Sequence, residues 1–219
     1  MVCIVSIKEG ANGIVSIGTA TGSLFRSRSE YFRLAFQASG LTELAELVSA
    51  GLPAGGLTPR PGQIEAPEDG LEGAVNALGA ERAACALLAR AEQCRSGLNL
   101  KLVRRKLDAW AVQVALDRLE ALGLLDDSRY AAAWIRQRVR RHAEGPRSLQ
   151  AALGRRGVAA IAVRQALAEN LAGSARRQAL QVAAAILGRK HGNGVALDFR
   201  LRGLGYSGSE IAAWREESA

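Results

Sequence analysis

Sliding the sequence on itself brings three segments into register without gaps when Leu107, Val158 and Tyr206 are superposed. Nine residues before these anchors stand Leu98, Leu149 and Leu197, and five before stand Leu102, Leu153 and Leu201. Each segment thus carries two leucines one helical turn apart. Five residues after the anchors come Val112, Val163 and Ile211; nineteen before come Leu88, Val139 and Leu187; twenty-three before come Ala84, Ile135 and Ala183. In a chain that is 48% apolar, a column is apolar in all three copies about one time in nine by chance, so six such columns mark an internal repeat. The spacing predicts units of three helices: the first crosses the second, a tight turn follows, and the third closes a small triangular core. Gly157 and Gly205 stand just before two of the anchors, where a helix end commonly needs a left-handed residue. Lys106 occupies that place in the first copy, so its turn is expected to be built differently. Units this small bury little alone and are expected to stack into an elongated, curved array.

The rest of the chain fits around that repeat. From Leu71 onward the only proline is Pro146, and Ala, Leu and Arg dominate, which favours helix throughout. Three-helix units are expected at 71–125, 126–172 and 173–219. Ahead of them, Ile4 to Ile7 and Ile14 to Ile17 are β-rich runs separated by Asn12-Gly13, a turn signal for antiparallel pairing, and Leu24 to Arg28 adds a third strand. Short helices are expected over Glu30–Gln37 and Thr42–Val48. Residues 1–50 therefore read as a small β-rich module. The stretch 51–70 holds Pro53, Pro59, Pro61 and Pro67 with several glycines; it is expected to sustain neither helix nor strand and to act as a linker. The fold class is mostly α, with a small β-rich N-terminal module.

Charge narrows the function. The net charge of +8 is uneven: residues 1–80 hold five basic and eight acidic side chains, net −3, and the remainder carries net +11. Between residues 128 and 156 fall eight arginines and one acid, Glu144. Ile135 and Val139 form the inward stripe of a helix there, which leaves Arg136, Arg138, Arg140 and Arg141 outward, followed by Arg147, Arg155 and Arg156. Such a face suits phosphates or carboxylates, to which arginine donates paired hydrogen bonds. Lys101, Arg104 and Arg105 make a smaller patch in the first unit, and Arg200 and Arg202 one in the third. Aromatic residues are few, and Tyr130, Trp134 and Tyr206 sit at packing positions, so a base-stacking platform is not expected.

Other classes find little support. No apolar run approaches the ~20 residues of a membrane span and the N-terminus does not resemble a secretion signal, so a cytoplasmic location is expected. Cys3, Cys85 and Cys94 are three and lack CxxC spacing, which speaks against disulfides or a zinc site. In Leu124-Leu125-Asp126-Asp127-Ser128-Arg129-Tyr130, Asp126 or Asp127 is placed to cap a helix; a metal site is the weaker reading because no further ligands stand nearby. His142 lies among arginines, and His191 in Gly188 to Gly194, read as a loop that lacks the order of a phosphate-binding motif. Neither belongs to a recognisable triad or metal motif, so neither catalysis nor a cofactor is expected.

The run Leu116 to Ala131, with Asp126-Asp127-Ser128-Arg129-Tyr130 at its centre, then Arg136 to Arg141, Gly145-Pro146-Arg147 and Gly157-Val158, resembles the central signature of the RecX family. Cys94-Arg95-Ser96 through Leu102 is similar to that family's first repeat, so the resemblance covers roughly residues 80–217. Gly97, Lys106 and Leu107 depart from it, standing for an acid, the turn glycine and an aromatic. The resemblance implies tandem three-helix repeats in a monomer. It implies as partner the RecA recombinase filament on single-stranded DNA, which family members modulate, usually by inhibiting growth, strand exchange, ATP turnover and repressor cleavage. A general DNA- or RNA-binding helical protein and a structural scaffold are the rival readings.

Overall fold

Asn12 and Gly13 both adopt left-handed backbone (φ 62° and 69°) and close the hairpin between β1 (Val2–Glu9) and β2 (Ile14–Thr19), as the Asn-Gly pair leads one to expect. The computed structural model describes residues 1–219 apart from Ala54, Pro61, Gly192, Asn193 and Ala219. β3 (Leu24–Arg28) pairs antiparallel with β2, and the helices α1 (Ser29–Ala38) and α2 (Thr42–Ala50) follow as the periodicity predicts.

The proline- and glycine-rich stretch corrects the expectation of a strandless linker. Glu65–Ala66 forms β4, which pairs with Val2 and Cys3 and completes a sheet of order β3-β2-β1-β4. Leu57 exchanges two backbone hydrogen bonds with Ile7, each 2.8 Å. Prolines do not prevent this, because an edge segment needs only alternate backbone groups.

Among the described residues nine helices follow: α3 (Glu68–Leu88), α4 (Arg95–Arg104), α5 (Ala109–Ala121), α6 (Asp127–His142), α7 (Pro146–Gly154), α8 (Ala160–Asn170), α9 (Gly173–His191), α10 (Val195–Gly203) and α11 (Gly208–Ser218). Gly188 to His191, expected as loop, continues α9; the Gly192-Asn193 part of that expectation lies outside the described residues. Two compact units result, Met1–Ala89 with Asn99–Leu124, and Arg90–Leu98 with Leu125–Ala219.

In the first unit, Ile4, Ile7, Val15 and Ile17 from the sheet bury against Tyr31, Phe32 and Phe36 of α1 and against the stripe Leu71, Ala74 and Leu78 of α3. The alanines admit close helix approach, and each large side chain buried here contributes roughly 1.5–3 kcal/mol. Glu81 continues that stripe as a buried acid. It accepts from Arg28 Nε and Nη2 at 2.6–2.9 Å and from the Tyr31 hydroxyl at 2.6 Å, and Arg118 Nε of α5 lies 3.6 Å away. Arg118 also pairs with Glu30. Burial and the neighbouring Arg28 lower the Arg118 pKa. One carboxylate thus ties β3, α1, α3 and α5 together.

In the second unit the repeat columns form two small cores. Ala131, Ile135, Leu149, Leu153, Val158 and Val163 make one; Leu180, Ala183, Leu197, Leu201, Tyr206 and Ile211 make the other. The turn before each anchor recurs in all three copies. Gly157 N–H donates to Gly154 and Val158 N–H to Leu153, at 2.9 and 3.2 Å; Gly205 and Tyr206 donate to Arg202 and Leu201 at the same two distances. Lys106 and Leu107 donate to Val103 and Leu102 at 2.8 and 3.5 Å, and Lys106 adopts φ 60° beside 76° for Gly157 and 95° for Gly205. The first turn is therefore not built differently. Lysine takes the glycine conformation, at a cost of about 1–2 kcal/mol.

Candidate partner-binding surface

The second unit is assembled through its backbone. Asp126 caps α6, its Oδ1 accepting from the N–H groups of Ser128 at 2.8 Å and Arg129 at 3.0 Å. Asp127, the other candidate cap, serves a different helix: its Oδ1 accepts from the N–H of Arg95, first residue of α4, at 2.7 Å. Beside it Arg129 pairs with Glu92 at 2.6 Å, and the buried thiol of Cys94 lies 3.5 Å from the Arg156 carbonyl. A Cβ on Gly157 would come within 2.6 Å of Ser96 Oγ, so this turn needs glycine for contact as well as for its φ. These contacts seat residues 90–98 on the second repeat.

A second joint of the same kind follows. Gly145 N–H donates to the Leu204 carbonyl at 2.7 Å and Arg147 N–H to Gly205 at 3.2 Å, while the buried Tyr206 hydroxyl donates to the Ala143 carbonyl at 3.0 Å. A Cβ on Gly205 would meet Ser148 N at 2.4 Å. Burial pushes the Tyr206 phenol up to about 12. Pro146 opens α7, where its missing N–H costs nothing. Tyr130 is half-buried against the second-repeat core, and burial raises its pKa. The Gly145, Pro146, Gly157 and Tyr130 signature is thus architectural.

This scaffold divides the arginines. Arg138 pairs with Glu144, its Nε 3.1 Å from Oε2, and its guanidinium lies 5.5 Å from the centre of the Trp134 ring. Arg156 lies 4.7 Å from the same ring centre and donates to the Ala152 carbonyl at 3.0 Å. Arg136 donates to Asn170 of α8 at 2.9 Å. The expectation of an outer stripe without acidic partners therefore fails at Arg138. Arg140 and Arg141 at the end of α6, Arg147 at the start of α7 and Arg155 at its end are exposed, with no ion pair or side-chain hydrogen bond among the described residues. Arg104 and Arg105, at the end of α4 in the first unit, are in the same condition, and Lys101 is exposed there too. Unpaired guanidinium groups are ready for bidentate contact with phosphate or carboxylate, since no internal pair must be broken first.

Sequence reasoning missed the engagement of Arg138 and Arg156. Two signals were present: Trp134 and Arg138 stand one helical turn apart, and Glu144 is the lone acid of the segment. Nothing local marked Asp127 as a partner for Arg95, thirty-two residues away.

The model of the RecX second three-helix domain matches residues 126–167. The regulatory protein RecX of Thermus thermophilus is 41% identical over 143 residues, which is 63% of this chain and 93% of that protein. This chain belongs to the RecX family. The RecX of Halorhodospira halophila is 38% identical over 118 residues, covering 54% of this chain and 70% of its own length. A RecX crystal structure shares the fold across 99% of this chain and 100% of its own, with TM-score 0.67 at 17% identity. That of RecX from Lactobacillus salivarius covers 65% of this chain and 96% of its own, with TM-score 0.58 at 18% identity. RecX relatives are named as regulatory proteins, and among the described residues of this one no helix is long and apolar enough to cross a membrane.

Proposed function

We propose that this protein binds the RecA filament assembled on single-stranded DNA and inhibits its growth, ATP hydrolysis, strand exchange and coprotease activity. It acts as a cytoplasmic monomer, with no catalysis, cofactor or metal of its own. Family membership supports the choice of partner. The observation that carries the reading is the set Arg140, Arg141, Arg147 and Arg155, exposed and unpaired on a scaffold that neutralises Arg138 with Glu144. The units 71–125, 126–172 and 173–219 are read as three repeats, supported by the recurring turn, with residues 1–50 packed against α3 in a shared core rather than tethered apart from it. The arginines Arg136, Arg138 and Arg156 hold the scaffold, whereas the unpaired four, with Lys101, Arg104 and Arg105, meet phosphate or carboxylate on the filament.

The test is ATP hydrolysis by cognate RecA on single-stranded DNA at fixed salt, with wild type and an Arg140→Glu, Arg141→Glu, Arg147→Glu variant. Inhibition by wild type at less than one molecule per RecA, lost in the variant, supports filament binding through these residues. A second reading, plain nucleic-acid binding, is favoured by the same guanidinium groups. It predicts affinity for bare DNA that falls steeply with salt and no effect on RecA.

A further inference from the structure

The third repeat exposes apolar side chains that its own core does not use. Val182 and Ile186 of α9 are 46% and 49% exposed, and Val195 and Phe199 of α10 are 86% and 75% exposed. The buried positions of these helices are others: Leu180, Ala183 and Ala184 on α9, Leu197 and Leu201 on α10. On each helix the exposed pair is one turn apart, and an exposed arginine follows three residues later, Arg189 and Arg202. Both helices therefore present the same stripe of two apolar residues and a cation. Arg189, Arg200 and Arg202 have no ion pair or side-chain hydrogen bond among the described residues.

The repeat register relates this stripe to the arginine face. Moving from Val158 to Tyr206 carries Trp134, Arg138 and Arg141 onto Val182, Ile186 and Arg189, and Arg147 onto Val195. The third repeat thus holds Ile186 and Val195 where the second holds Arg138 and Arg147, replaces Trp134 and Ala151 with Val182 and Phe199, and keeps arginine at the Arg141 position. Water gives such groups no stabilisation, and exposed apolar residues aligned along a helix face mark contact with another molecule. The phosphate face of a nucleic acid offers them nothing to bury against, whereas a protein surface does.

We infer that this stripe docks a protein, one that presents an apolar protrusion flanked by carboxylates. The inference rests on the function proposed above: the occupant is the protein component of the filament and not its DNA. Its unpaired arginines favour an acidic rim on the partner, and a second copy of this chain, which would bring arginine against arginine, is the disfavoured occupant.

The test is a Val182→Gln, Ile186→Gln, Phe199→Gln variant, compared with wild type and with Leu100→Gln, which alters the exposed first-repeat counterpart of Phe199. Binding is titrated against labelled single-stranded DNA alone and against the RecA filament on that DNA, and each protein is sedimented alone. The expected result is a loss of about tenfold or more in filament affinity for the triple variant, with bare-DNA affinity unchanged and Leu100→Gln like wild type. Unchanged filament affinity overturns the docking surface while the proposed function stands. Equal losses on bare DNA and filament overturn it as well, as does wild-type self-association that the triple variant abolishes. A wild type that ignores the filament overturns both readings together.

Discussion

The two units hold their helices by opposite means. In the first, a buried carboxylate gathers two arginines and a tyrosine from three other elements; in the second, glycine lets one backbone come within hydrogen-bonding range of the next. The first device demands a charge at one position, and the second demands that a side chain be absent. A unit of the first kind fails when its central group is removed, because Arg28 and Tyr31 lose the acceptor they share and Arg118 keeps only Glu30. A unit of the second kind fails when an atom is added.

The largest effect is expected from Glu81→Ala. Arg28 and the Tyr31 hydroxyl lose their shared acceptor and Arg118 loses a nearby carboxylate, and breaking a buried pair from one side costs about 3–5 kcal/mol. Urea unfolding followed by tryptophan fluorescence measures it; a change below about 1 kcal/mol would mean that solvent already reaches Arg28 and Arg118. Next comes Gly205→Ala, where left-handed backbone and the approach to Ser148 N combine. The expected cost is about 1–3 kcal/mol, and hydrogen exchange should show it first at the N–H groups of Gly145 and Arg147. The smallest effect has the opposite sign. Lys106→Gly relieves a strained left-handed residue and should stabilise by about 1 kcal/mol in thermal unfolding. A loss of stability there would show that the lysine side chain makes a contact worth more than its strain.

Legibility in the sequence followed the range of the interactions. The three-helix units were readable because Leu98, Leu149 and Leu197 and the columns around them repeat a local period, and the hairpin because Asn12-Gly13 dictates its own turn. β4 was not readable: Glu65 and Ala66 become a strand only because the edge of β1 offers them partners more than sixty residues away. The Lys106 turn was misread because local preference disfavours lysine in that conformation, and the packing of Leu102 and Val112 on either side overrides it. Glu81 carried a signal that periodicity alone left unused. It continues the stripe Leu71, Ala74 and Leu78, and an acid on an apolar stripe needs cationic company. Of the arginines, those that remained exposed lie on the expected face; Arg138 had local signals in Trp134 and Glu144 that went unused, and Arg156 over Trp134 required the folded arrangement of α6 and α7 to be known.

Tyr206 also makes the second joint responsive to alkali. An unfolded tyrosine ionises at about pH 10, and in the folded chain this phenol is held up to about 12. The stabilisation linked to that shift is complete below the lower value and disappears as pH climbs through the upper one. Burial also raises the phenols of Tyr31 and Tyr130, so ultraviolet difference absorbance of the phenolate, compared between wild type and Tyr206→Phe, should show the loss of the one component that ionises near 12 in the variant, together with loosening of the Ala143 segment over that interval. The hydroxyl that fastens α11's approach to α6 doubles as an optical gauge, built into the chain, of whether the last two repeats remain joined.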